Sequence, residues 1–226
     1  WILGLILIAY ALYAGVFIYQ SMFQVEGAWY SALFDDSMIS MTYARNLARG
    51  DGLVWYPGAE RIEGFSNPLW VGLMALIHLL PIPQRLTSLA VQVLGLIFFL
   101  ASLVFLYRIG LHLFTLSRGE KARLKTAEPG SRPVLPALLA VLLTAFYYPL
   151  NNWVLLGTEV SGLLLIVTAG AWLALRSAEA RRVNPWLYAL LGLGILVRLD
   201  AAVPYLVIWG WLFLFDSQNR LKNLLW

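Results

Sequence analysis

Long apolar runs separated by short polar connections dominate the chain. The runs occupy 1–23, 68–81, 86–107, 134–150, 160–175, 186–197 and 201–215. Each is continuous rather than alternating, so each reads as a helix. A straight membrane crossing takes about 20 residues, which runs 1–23 and 86–107 reach comfortably. Run 68–81 extends only ~20 Å at ~1.5 Å per residue, and reads as a helix that dips into a membrane. The last two runs are also short, which calls for a locally thin bilayer or a turn sunk below its surface. Segment 24–67 has another pattern. Ile39, Tyr43 and Leu47 recur every four residues and predict an amphipathic helix over 37–49. Gly50-Asp51-Gly52 ends it, and Tyr56-Pro57-Gly58 and Glu63-Gly64 read as turns. The expected fold is all-α: a polytopic helical membrane protein with a structured first outer loop.

Charge decides which way the runs point, because Lys and Arg gather in cytoplasmic loops. Three connections are basic: 116–133 with Arg118, Lys121, Arg123, Lys125 and Arg132, 176–184 with Arg176, Arg181 and Arg182, and the tail with Arg220 and Lys222. Segment 24–67 instead carries Glu26, Asp35, Asp36, Asp51, Glu60 and Glu63 against Arg45, Arg49 and Arg61. About six crossings plus one dipping helix at 68–81 put the basic connections inside and 24–67 outside.

Composition then removes whole classes. Apolar residues of the AVILMFWYC set make up 61% and charged residues 12%, about half the charged share of a soluble domain. A disordered chain, a nucleic-acid-binding tail and an ordinary cytosolic enzyme are excluded. There is no Cys, so thiolate chemistry and disulfides are impossible. His78 and His112 are the two histidines, too few for a multi-His zinc site, and read as satisfied core or interfacial residues. The sequence holds no Walker loop, GxGxxG, GxSxG or HExxH motif. It opens on Trp1 without an initiator Met and stops soon after an apolar run, which reads as a fragment of a longer protein. No small-residue cleavage site follows the first run, which reads as an uncleaved span.

This topology sends the uncommon polar residues to one side. Asp35 and Asp36 follow the first run; Glu63, Ser66 and Asn67 precede the dipping helix. Glu159 opens the helix after the third crossing, and Arg198 and Asp200 lie between the last two runs. Ionisable groups beside an apolar layer are costly and are functional candidates by default. A shared outer cavity would solvate them all. Each also has a plainer reading: Asp35 and Asp36 as helix-capping residues, Thr158-Glu159 as a helix start, Arg198 and Asp200 as a mutual pair. Trp55, Tyr56 and Trp70 flank the acidic loop, where they could stack on a sugar or a polyprenyl chain.

Asp35-Asp36, the following Tyr43-Ala44-Arg45-Asn46-Leu47 helix, and Glu63-Gly64-Phe65-Ser66-Asn67-Pro68-Leu69-Trp70 resemble the first outer loop of the GT-C superfamily, polyprenyl-phosphate-sugar-dependent membrane glycosyltransferases. The resemblance is strongest to the branch holding the mycobacterial terminal arabinofuranosyltransferases and related bacterial proteins. Gly157-Thr158-Glu159 looks like that branch's second acidic motif, with Thr158 where Met is expected. Arg198-Leu199-Asp200 looks like its Arg-Pro-Asp/Glu motif, with Leu199 where Pro is expected. The resemblance covers most of the chain and the first half of such an enzyme.

The resemblance implies transfer of a sugar from a polyprenyl phosphate donor to an acceptor hydroxyl of a cell-envelope glycan, lipid or protein. The reaction would face outward from the bacterial cytoplasmic (inner) membrane, with membrane lipids as neighbours and no nucleic acid involved. Asp35 is the first choice of general base and Asp36 the second. Substrate binding would fall to Glu63, Asn67, Trp55, Glu159, Asp200 and two arginines, Arg198 for the lipid phosphate and Arg61 as a weaker candidate. A divalent cation, if used, would sit on Asp36 and Glu159. The rival expectation is a non-catalytic subunit or scaffold with this fold in a larger membrane assembly; a transporter ranks third.

Overall fold

The computed structural model describes residues 1–62, 64–123, 134–216, 219–223 and 225, with the backbone alone for 117–123 and 220–221. The protein is all-α apart from one small hairpin. Helix α1 spans Ile2–Ser21 and is followed by β1 (Phe23–Val25) and β2 (Ala28–Tyr30). Then come α2 (Asp35–Arg49), α3 (Pro68–His78), α4 (Thr87–Arg123), α5 (Val134–Ala145), α6 (Tyr148–Leu155), α7 (Val160–Ala180), α8 (Pro185–Val197), α9 (Ala202–Phe215) and α10 (Arg220–Asn223). Among the described residues, α1, Gln84–Leu116 and α7 are each long and apolar enough to cross a membrane. A fourth span results if α5 and α6 count as one bent element. Helices α3, α8 and α9 are apolar but shorter.

Three elements depart from the sequence pattern, each for a physical reason. The hairpin was not expected. Its strands pair Phe23 with Tyr30, Gln24 with Trp29 and Val25 with Ala28 across Glu26-Gly27, both at positive φ. Such a two-residue turn matches the twist of its strands, and aromatic and β-branched neighbours complete the signal. Run 134–150 is not one helix: α5 and α6 meet at 61°. Pro149 lacks the N–H that would bond the Ala145 carbonyl, and its ring would clash with that carbonyl in a straight helix. The buried Asn151 amide donates to the Ala145 oxygen instead, at 3.1 Å, and its own oxygen accepts from the Tyr10 hydroxyl at 2.6 Å. Helix α4 does not stop near Tyr107 but continues to Arg123, into the segment read as a basic loop. Lys125 and Arg132 lie outside the described residues.

Three apolar clusters hold these elements. Tyr10, Ala14 and Ile18 of α1 pack with Phe99 and Leu103 of α4, with α5 (Val141, Ala145) and with α6 (Val154, Leu155). Met41, Tyr43 and Ala44 of α2 pack with Trp70, Val71 and Met74 of α3 and Val91 of α4. Ala174, Leu187, Leu191 and Leu212 join α7, α8 and α9. The second cluster corrects the amphipathic reading of 37–49. Ile39 and Leu47 face outward, while Ser37, Ser40 and Asn46 are buried beside Met41, Tyr43 and Ala44. The inward face of α2 is partly polar: the Ser40 hydroxyl and the Asn46 amide serve the loop that follows, while the buried Ser37 hydroxyl has no partner among the described residues. Asn46 donates to the Val54 and Trp55 carbonyls at 2.8 and 3.0 Å, folding the chain after α2 back onto the helix.

Candidate functional site

The entry to α2 is stitched to the turn between α6 and α7. The Phe34 amide donates to the Leu156 carbonyl at 2.9 Å, and the Phe34 ring lies 4.8 Å from Trp153. Gly157 completes the seam. Its φ is +82°, and a Cβ there would run into Leu33, so both backbone and space require glycine. The Trp70 indole donates to the Gly157 carbonyl at 3.1 Å, tying the start of α3 to the same turn. The first turn of α2, the 64–67 loop and the start of α7 are thereby drawn together. The Arg198 turn between α8 and α9 closes the fourth side.

These segments enclose a cavity of about 500 Å3 lined by Asp36, Ile39, Ser40, Gly64, Phe65, Ser66, Asn67, Glu159 and Arg198. A hydrogen-bonded chain crosses its wall. The Ser40 hydroxyl donates to Asn67 Oδ1 at 3.1 Å, and Asn67 Nδ2 donates to Glu159 Oε2 at 2.9 Å. Arg198 Nη1 donates to Glu159 Oε1 at 2.8 Å, and its Nε reaches the two Asp200 oxygens at 3.1 and 3.2 Å. The Glu159 hydrogen bond, and then that of Asp200, hold the Arg198 guanidinium above its ordinary pKa, so it is a permanent cation. Its Nη2 has no partner among the described residues.

The plainer readings of the acidic residues can now be decided. Phe34 is the N-cap of α2, and neither Asp35 nor Asp36 makes a side-chain cap bond. Both are exposed in the first turn; Asp36 lines the cavity and Asp35 is not among its lining residues. Glu159 occupies the N-cap position of α7 without capping it, because both its oxygens serve Asn67 and Arg198. Arg198 pairs with Asp200, as the plain reading has it, and with Glu159 as well.

The remaining sequence candidates fall elsewhere. Arg61 lines a neighbouring hollow that shares Phe65 and Ser66 with the cavity. Trp55 is exposed and stands 5.8 Å from the Tyr43 ring, away from the cavity lining. Trp70 is 1% exposed and cannot stack on a ligand. Glu63 lies outside the described residues. Ser40 was missed; a serine four residues after Asp36 returns to the same helix face, which is the signal that would have found it.

A divalent cation needs several oxygen ligands. No three His, Asp or Glu side chains gather among the described residues. A cation at Glu159 would also sit against the Arg198 guanidinium. The donor set of Asp36 and Glu159 does not fit a cation. The arrangement can do two other things: Asp36 can accept a proton, and Arg198 can hold an anion. No protein-family model, curated protein or solved structure matches this chain.

Proposed function

We propose that this chain is the transmembrane module of a GT-C-type glycosyltransferase that moves a sugar from a polyprenyl phosphate to an acceptor hydroxyl. One observation carries the reading. Four segments distant in sequence bring Asp36, which has no ion-pair partner among the described residues, and Arg198, with an open Nη2, to the wall of one cavity. In this reading about six crossings and a dipping helix hold the cavity at the outer face of the bacterial cytoplasmic membrane.

The chemistry follows from the two charges. Asp36 takes the proton of the acceptor hydroxyl as its oxygen forms a bond to the anomeric carbon. The bond from that carbon to the phosphate oxygen breaks, and the electron pair leaves with the polyprenyl phosphate. Arg198 meets the charge that develops there, through donors suited to phosphate oxygens. Asp36 replaces Asp35 as first choice of base because it lines the cavity. Glu159 and Asn67 are positioning residues: they fix the guanidinium and the loop.

The test is sugar transfer by the purified protein from a panel of polyprenyl-phosphate-linked sugars. Asp36→Asn should abolish transfer and Asp35→Asn should spare most of it. Full transfer by Asp36→Asn would remove the base. The rival, a non-catalytic subunit, is favoured by the mutual pairing of Glu159, Asn67, Arg198 and Asp200, which also ties three segments together. It predicts no transfer by the wild-type protein with any donor of the panel.

A further inference from the structure

Helix α2 has a second cavity on its other side. Asp36 and Arg45 are nine residues apart, which at 3.6 residues per turn places them about 180° apart around the helix. The Arg45 side borders a cavity of about 600 Å3 between the hairpin, α2, the end of α3 and the start of α4. Its lining includes Arg45, His78 and Arg85 and no carboxylate. Neither guanidinium has an ion-pair partner among the described residues. Arg45 Nε is buried with no hydrogen-bond partner; the His78 ring hydrogen-bonds the Met41 backbone, as expected of a satisfied histidine, and leaves its buried Nε2 open. The buried Arg45 Nε is a donor left unanswered beside a second unpaired guanidinium in one concave site; such a donor is costly to leave unmet and marks a missing acceptor.

We propose that this cavity binds a phosphate group, held by Arg45, His78 and Arg85. Arginine suits the role because its fork presents paired donors to tetrahedral oxyanions. The Ser88 hydroxyl lines the same space and can donate to a remaining oxygen, while those of Thr42 and Thr87 donate to the Met38 and Gln84 carbonyls. Burial, and then the charges of Arg45 and Arg49, hold His78 below its ordinary pKa; a bound anion would reverse that electrostatic pressure. The phosphate is either the headgroup of a lipid or a free anion. The hairpin beside the cavity exposes stacked Phe23 and Tyr30, with Trp29 against Tyr19, an aromatic edge of the kind found where protein meets headgroups. The site is independent of sugar transfer at the other cavity, and its binding is measured without any glycosyl donor.

The full chain, purified in detergent, would be titrated by microscale thermophoresis with lysophosphatidic acid, inorganic phosphate and lysophosphatidylcholine. Saturable binding of lysophosphatidic acid is expected. Arg45→Gln and Arg85→Gln should each weaken it about tenfold or more. Arg49→Gln, an exposed cation on the same helix outside the cavity, should change it less than about twofold. Binding of the lysolipid without inorganic phosphate identifies a headgroup; competition between the two identifies the phosphate itself, and both outcomes support the site. Absence of saturable binding overturns it, as does equal binding of the zwitterionic lysolipid or equal loss in Arg49→Gln. If Arg45→Gln fails to fold, Arg45→Lys keeps the charge and removes the fork. Weakened binding in that variant supports the site, and undiminished binding in both Arg45→Lys and Arg85→Gln overturns it.

Discussion

The two sides of α2 handle charge in opposite ways. On the Asp36 side, Glu159, Asn67, Arg198 and Asp200 answer one another, and only Asp36 and one edge of the guanidinium stay open. On the Arg45 side, the cations answer nothing within the described chain. Between the two walls, Met41, Tyr43 and Ala44 pack α2 against α3. A paired network holds the Arg198 guanidinium in place. An unpaired one leaves its donors for a ligand that arrives from outside. The difference teaches that the amount of charge at a cavity says less than how much of it remains uncompensated.

The largest effect expected is at Asp36. If it is the base, Asp36→Asn should lower kcat for sugar transfer by about 10²–10⁴. Arg49→Gln, a charge change on the same helix outside both cavities, should leave transfer unchanged. Equal losses in the two variants would mean that net charge near α2 matters and the geometry does not.

Arg198→Ala should come next. It removes donors aimed at an anion and should weaken donor binding by about 10–100-fold, read as a rise in the donor dissociation constant. Unchanged donor affinity would leave the guanidinium as a strut between Glu159 and Asp200. That outcome would narrow the contrast, since the open guanidinium edge on this side would then serve no ligand.

How much of this was legible beforehand depends on the residue. Asp36, Asn67, Glu159 and Arg198 stand out because any ionisable or amide group is conspicuous in so apolar a chain. Which aspartate faces the cavity was not legible: adjacent helix residues point about 100° apart, and packing against Trp70 and Val71 sets the rotation. The apparent stripe of Ile39, Tyr43 and Leu47 misled for the same reason, because Ser40 and Asn46 are buried through hydrogen bonds that hydropathy does not count. The break at Phe146–Tyr147 was legible in Pro149 and was hidden by the continuity of the apolar run. The second cavity was invisible. Arg45, His78 and Arg85 sit on three elements, and each alone looks like an ordinary interfacial residue.

Glu159→Gln tests the closed network itself. Gln can still accept from Asn67, but it cannot neutralise Arg198. The loss should be about 1–2 kcal/mol of stability, at the low end for a charged hydrogen bond because the Arg198 side chain is 41% exposed. Donor KM should rise several-fold while kcat at saturating donor stays near wild type, since the guanidinium is misplaced and Asp36 is untouched. A fall in kcat alone would make Glu159 part of the chemistry.

Asp200→Asn should do least. The Asp200 side chain is 60% exposed and its partner is already held by Glu159, so the pair is screened by solvent on one side and redundant on the other. Exposed pairs of this kind are worth about 0–1 kcal/mol, which predicts less than about a fivefold change in donor affinity and an unfolding midpoint close to wild type. High salt should erase even that difference, because the Debye length falls to about 3 Å at 1 M. A loss beyond tenfold that survives high salt would mean that Asp200 touches substrate directly. The cavity would then extend along the α8–α9 turn, and the Asp36 side of α2 would hold a second open carboxylate where the present contrast counts one.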